Sequence, residues 1–127
     1  MSLDTIRISK KGREQLIRLK RHTGIEHLNI LCRWAFCISL AEDSVPPIST
    51  VRTEQGMDIQ WRTFSGKNDE IYLGLLKHRC QKDGLNLSDE NLSEYLGLHI
   101  HRGLGYLVAN KNLRSIESLF SYLPNFG

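Results

Sequence analysis

One stretch constrains this chain of 127 residues more than any other: residues 28–41 hold 11 apolar residues in 14. A bilayer span needs about 20 such residues, and Asn29 and Arg33 interrupt this run. The stretch therefore predicts a buried helix, over residues 26–41, and no membrane span. Leu28, Ile30, Leu31, Cys32, Trp34, Ala35, Phe36, Cys37, Ile38 and Leu40 encircle its axis. A helix that is apolar on every side must be covered on every side. Leaving even two of these side chains in water forfeits roughly 1.5–3 kcal/mol each. A chain this short has little else with which to surround the helix. Self-association, to at least a dimer, is the expectation, with Trp34, Phe36 and Ile38 at the contact. Gly24, just upstream, is a small residue where two chains can approach closely.

Length and composition fit one domain: 40% of residues are hydrophobic, 24% are charged and only 3 are Pro. Residues 5–8 alternate, with Ile6 and Ile8 on one face and Thr5 and Arg7 on the other, which predicts a short strand. Ser9 is placed to cap a helix over residues 10–22 and Gly24 to stop it. Gly12, Leu16, Leu19 and Thr23 share one side of that helix, and basic residues fill most of the rest. Ile17 lies among the basic residues and is a further candidate contact to a second chain. Pro46-Pro47 closes this first unit, and residues 43–56 read as a polar connector. Residues 57–64 alternate and predict a second strand, broken by Ser65-Gly66.

A helix is predicted over residues 68–82, with Ile71, Leu75, Leu76 and Arg79 along one side and Gly84 as its stop. Ser88 caps another, running through Leu92, Tyr95, Leu96 and Leu98 towards Leu104. Residues 112–123 predict a last amphipathic helix, ended by Pro124. The fold class is thus mainly α: a basic strand-helix-helix unit (1–43), a connector and strand (44–67), and a helical part (68–127). Strand, helix, helix with basic residues in front is the plan of ribbon-helix-helix proteins, in which the strand pairs with its twin from a second chain and meets DNA.

Net charge is only +3, yet its distribution is uneven. Residues 7–33 hold eight basic residues against Glu14 and Glu26, whereas residues 44–127 hold nine of each sign. A basic front on a balanced body is the footprint of a polyanion binder. The same pattern also suits a solvated helix face, or a surface that docks an acidic protein partner. On the DNA reading Lys10, Lys11, Arg13, Lys20 and Arg21 contact backbone phosphates, with Arg18 and Arg7 secondary. In a sequence-specific ribbon-helix-helix repressor, Arg7 and Thr5 would read base edges instead.

Signals for chemistry are weak. His99 and His101 are two apart and point to different faces of a helix, so they do not chelate together, and no C-x-x-C pair exists. No metal and no cofactor are expected. Gly103-x-Gly105 falls short of any phosphate loop; it suits a helix end that needs flexible backbone, with Arg102 as a candidate phosphate contact. Cys32 and Cys37 lie in the most apolar segment, which raises a thiol pKa and does not activate a nucleophile. No glutamate is followed two residues later by lysine, as a metal nuclease would favour. Catalysis is not expected. Three cysteines without framework spacing, and no apolar run at the N-terminus, point to a reducing, cytoplasmic setting.

Four segments together resemble the DndE family, the small subunit of the bacterial DNA phosphorothioation system. They are LIRLKRHTGI (16–25), NILCRWAFC (29–37), LLKHRC (75–80) and LHIHRGLGYL (98–107). The resemblance runs from Ile6 to Leu119, and its most distinctive parts are Leu31-Cys32-Arg33-Trp34 and His99-x-His101-Arg102-Gly103-x-Gly105. It implies a role in the system that replaces a non-bridging phosphate oxygen of DNA with sulfur. It further implies a homotetramer that favours nicked double-stranded DNA and works with the other phosphorothioation proteins.

Overall fold

A computed structural model describes residues 4–47 and 55–122. Strand β1 (Thr5–Ile8) leads into α1 (Lys10–Thr23) and α2 (Leu28–Leu40). There follow β2 (Met57–Gln60), α3 (Trp61–Ser65), a 3-10 turn at Gly66–Asn68, α4 (Asp69–Lys82), α5 (Asp89–Ala109) and a 3-10 helix at Ile116–Tyr122. The mainly helical class with a strand-helix-helix front is as the sequence implies.

The strand finds its partner within its own chain. β1 pairs antiparallel with β2, in the register Thr5–Gln60, Ile6–Ile59, Arg7–Asp58 and Ile8–Met57. Ile6, Ile8 and Ile59 are buried beneath this ribbon, while Thr5, Arg7, Asp58 and Gln60 share its exposed face. A twin strand from a second chain is therefore not what completes the ribbon. β2 is also shorter than the alternation over 57–64 suggested. From Trp61 the spacing Trp61, Phe64, Ser65 becomes helical, and Phe64 and Ser65 are buried. Asn29 and Arg33 of α2 hold the end of α3: Asn29 Nδ2 and Arg33 Nη2 each donate to the Thr63 carbonyl at 3.1 Å, and Arg33 Nε donates to that of Phe64. Two of the three polar residues in the apolar stretch, Asn29 and Arg33, thus satisfy carbonyls that would otherwise be orphaned.

α2 is the central helix, as its composition demands, but most of its cover comes from this same chain. Leu31, Cys32, Ala35, Phe36 and Ser39 are buried, and Leu28, Ile30, Trp34, Ile38 and Leu40 pack at the edge of the core. Phe36 is fully enclosed, edge-on to Phe64 at 5.8 Å between ring centroids. It is a core residue and not a contact to a second copy. Trp34, Cys37 and Ile38 line an open groove of about 410 Å³ with Ala41, Glu42, Tyr106 and Tyr122.

The crossing of α2 by α5 depends on Gly103, where a Cβ would lie 1.8 Å from the Ala35 carbonyl oxygen. Gly103 and Gly105 therefore sit inside α5, which continues to Ala109, and do not mark its end. Along α4 the buried residues are Leu76, Arg79 and Cys80, while Ile71 and Leu75 are 61% and 41% exposed; the four residues expected on one side divide between two. The last amphipathic helix is a 3-10 helix in its place. Ser118 Oγ accepts the backbone N–H groups of Arg114 and Ser115, both at 3.3 Å, a local competitor to the α-helical ladder. Leu123 and Pro124, the expected last residue and stop, lie outside the described residues.

Candidate nucleic-acid interface

α1 is built from both ends by local chemistry. The Ser9 hydroxyl accepts the Gly12 N–H at 2.9 Å at its start. At its end Gly24 adopts a left-handed φ of 75° and returns its N–H to the Lys20 carbonyl. Gly12, Leu16, Leu19 and Thr23 form the buried stripe, and at 100° per residue the basic residues spread around the remaining circumference, with Lys20 and Arg13 on one flank and Lys11 and Arg18 on the other. Lys10, Lys11, Arg13, Arg18, Lys20 and Arg21 are all exposed, with Glu14 and Ile17 among them. Lys11 and Arg18, and likewise Arg13 and Lys20, are seven residues apart, so each pair forms a row two turns long, about 10 Å. No ion pair among the described residues uses any of these cations. Gly24 is exposed with open space around it.

The start of this helix is electrostatically unusual for the molecule. α4 opens with Asp69 and Glu70 and α5 with Asp89 and Glu90, acids that favour the positive end of a helix. α1 opens with Lys10 and Lys11 and has no acid in its first turn. Two cations at the positive pole cost helix stability, about 0.3–1 kcal/mol each, and concentrate a field that an anion would relieve.

The remaining basic residues of interest have other surroundings. Arg7 is exposed but stands across the ribbon from Asp58, so its local charge is offset. Arg102 is half-buried, and its guanidinium is committed to partners of its own chain and not held out for a phosphate. Its Nε donates to Ser39 Oγ at 2.8 Å, its Nη2 to the Ser39 carbonyl at 2.8 Å, and its Nη1 to the Ser44 carbonyl at 2.9 Å. Arg79, buried and missed as anything but a helix-face residue, acts beside it. Its guanidinium donates to the carbonyls of Leu40 at 2.9 Å and of Glu42 and Ser44, each at 2.7 Å, while Nε pairs with Asp83 at 3.0 Å. α2 has no basic residue in its own last turn. These two guanidiniums, from α4 and α5, supply the cationic cap its negative end calls for.

The two histidines diverge as their spacing requires. His101 turns to the start of α1, where its Nε2 accepts the Ser9 N–H at 3.1 Å. His99 is fully buried with its Nδ1 2.7 Å from Ser39 Oγ. Because Arg102 already donates to that oxygen, the Ser39 hydrogen is free for His99 Nδ1, and Nε2 has no hydrogen-bond partner. Burial, then the charges of Arg79 and Arg102, pull its pKa from 6.5 down to about 4, against the opposing pull of Asp83. Asp83 feels burial pushing its carboxyl up, but the hydrogen bonds from Tyr95 and Arg79 and the Arg79 charge outweigh this and hold it low.

A pH dependence follows. Unfolded, His99 titrates near 6.5, and folded, near about 4, so its contribution to stability is complete above pH 6.5 and is lost as pH falls towards 4. Urea midpoints at about pH 7 and about pH 4.5 should show the parent losing roughly 2 kcal/mol more than His99→Gln over that interval. Equal acid losses in the two proteins would contradict this.

Burial pushes the Cys32 thiol up to about 12 and, together with the nearby Asp83, the Cys80 thiol up to about 11; Cys37 is raised in the same way. All three are free cysteines. Among the described residues no three His, Cys, Asp or Glu side chains are grouped to hold a metal ion, and no helix is long and apolar enough to cross a membrane.

The crystal structure of DndE from Escherichia coli B7A, described as involved in DNA phosphorothioation modification, has the same fold. The TM-score is 0.70 at 24% identity, over 84% of this chain and 100% of that one. No curated protein matches the sequence. The family model described as DNA sulphur modification protein DndE matches residues 5–115, and with that match spanning both strands and all five α-helices, the chain belongs to the DndE family.

Proposed function

We propose that this protein is a non-enzymatic, DNA-binding subunit of a cytoplasmic DNA phosphorothioation machinery. It binds duplex DNA through backbone phosphates on the exposed face of α1. The observation that carries this reading is the arrangement of α1 itself. Six exposed cations occupy the circumference left free by the buried stripe, none in an ion pair among the described residues, and two of them crowd the positive helix end. A nick lowers the cost of bending a duplex, and a rigid basic surface would recover that difference as affinity; hence nicked DNA as the favoured form. A homo-oligomer, a tetramer on the family resemblance, would repeat the basic face and let phosphate contacts act together. Ile17 on α1 and Gly24 at its C-terminal cap, with Trp34 and Ile38 at the open groove, are the residues expected at a contact between copies. Other phosphorothioation proteins are the expected partners.

The repressor alternative needs Thr5 and Arg7 to read bases, and the scaffold alternative needs an acidic protein on the α1 face. Binding to intact, nicked and single-stranded forms of each of two unrelated DNA sequences across a salt series separates all three. Log affinity should fall against log salt with a slope of about −0.9 for each phosphate neutralised, and Lys10→Ala/Lys11→Ala should flatten it. The nicked duplex should bind more tightly than the intact one. A slope near zero would sink the DNA role, and a strong dependence on base sequence would favour the repressor.

A further inference from the structure

The segment from His99 to Gly103 on α5 serves different neighbours. His99, Arg102 and Gly103 meet α2, while His101 reaches the joint between β1 and α1. His101 Nδ1 lies 2.6 Å from the Gly97 carbonyl, one turn back on its own helix. A carbonyl only accepts, so Nδ1 carries the hydrogen and donates. Nε2 is thereby left as an acceptor, and the Ser9 backbone N–H donates to it at 3.1 Å. Burial pulls the His101 pKa down, with the Gly97 bond acting against it, and this favours the neutral ring that the acceptor role requires.

Ser9 is where α1 begins. It is buried, its hydroxyl caps Gly12, and its carbonyl accepts the Arg13 N–H at 2.8 Å. Its own N–H lies outside both the helix and the strand ladder, so it needs a partner from elsewhere. Access for the ring depends on Gly12. A Cβ there would come within 2.8 Å of Ile8 Cγ2 and 3.2 Å of His101 Nε2. β1 is held by β2, and the body of α1 by Leu16 and Leu19; the joint between them is held by Ser9 and His101.

We propose that His101 is a positioning residue for the basic helix: its bond to the Ser9 N–H fixes the joint from which Lys10 and Lys11 project, and so sets how they meet a phosphate backbone. This rests on the reading of α1 as the DNA face. The role is one of aim, because His101 itself points inward and touches no ligand.

Two variants test it. His101→Gln keeps an acceptor oxygen near the place of Nε2, whereas His101→Leu keeps apolar bulk without an acceptor. The Ser9 and Gly12 amides should exchange roughly tenfold faster in His101→Leu and near the parent rate in His101→Gln. Affinity for a short nicked duplex at fixed salt should fall about threefold in His101→Leu and be restored in His101→Gln. In the parent, imidazole nitrogen shifts should show Nδ1 protonated and Nε2 unprotonated. His101→Leu exchanging and binding like the parent, or His101→Gln as damaged as His101→Leu, overturns the proposal. Should His101→Leu not fold, a ring protonated at Nε2 in the parent overturns it by itself. A parent that shows no salt-dependent DNA binding sinks the reading of α1, while amide exchange still decides whether His101 orders the joint.

Discussion

Replacing Arg79 by methionine should destabilise the protein by about 3–5 kcal/mol, the range for removing one partner of a buried ion pair. That corresponds to a fall in melting temperature of roughly 10–20 °C. Methionine fills much of the volume, so the loss measures polar groups abandoned in the interior. Asp83, whose side chain is 6% exposed, loses its cation and keeps only the Tyr95 hydroxyl. The Leu40 carbonyl loses its donor, and Glu42 and Ser44 are left to Arg102. The natural comparison is Lys82, which pairs with Asp43 at 3.3 Å with both side chains largely exposed. Lys82→Met should cost less than about 0.5 kcal/mol, as isolated surface pairs do. Thermal melts of the two variants make the contrast. An Arg79→Met protein within about 1 kcal/mol of the parent would show that the carbonyls at the end of α2 find other donors, and that the guanidinium clamp is not what holds them.

Arg79 also marks a limit of reading this sequence. Arg33, Arg79 and Arg102 look no different in the chain from Lys11 or Arg18, yet each is committed to carbonyls at a helix end. For Arg79 and Arg102 the carbonyls are 35–63 residues away. No local pattern distinguishes an arginine aimed at solvent from one aimed at a distant helix terminus. What was legible was local. Ser9 and Gly24 set the ends of α1, and the 3.6-residue period set its buried stripe, so the complementary exposed face could be named residue by residue. Ser88 likewise located the start of α5.

Errors arose where one signal serves two structures. Trp61 continues the alternation of Met57 and Ile59 and equally begins a helical spacing with Phe64; the carbonyl donors on α2 favour the helix. Gly103 and Gly105 read as a helix end because flexibility is the usual reason for such a pair. The reason for Gly103 is the Ala35 backbone pressed against it, a tertiary fact. α2 was legible as a buried helix, but its companion α5 begins 49 residues after α2 ends. The sequence therefore shows the need for cover without its source, and Phe36, expected at a contact with a second chain, is enclosed within this one. The link between His101 and Ser9 spans 92 residues, and only the bare Gly12 between two basic residues hinted that something approaches there.

The largest functional effect should come from the two rows that flank the α1 face. Removing Lys11, Arg13, Arg18 and Lys20 together, all to alanine, should weaken duplex binding about a thousandfold at roughly 0.15 M salt. The slope of log affinity against log salt should shift by about 3 to 4, since each neutralised phosphate contributes about 0.9. All four side chains are exposed, and alanine is a strong helix former, so the variant should keep its fold and melt near the parent. The informative control removes the same charge elsewhere: Arg62, Lys67, Lys111 and Arg114, also exposed, changed to alanine. Both quadruple variants lower the formal net charge of +3 by four. If α1 is the interface, the control keeps most of its affinity and nearly all of its salt slope. If binding merely follows total charge, the two variants weaken alike. Equal losses, or a loss below about tenfold in the α1 variant, would remove this helix from the DNA interface. A loss confined to α1 would mean that the cations around the exposed circumference of this helix, two of them at the end where a helix least tolerates them, are placed there for an anion.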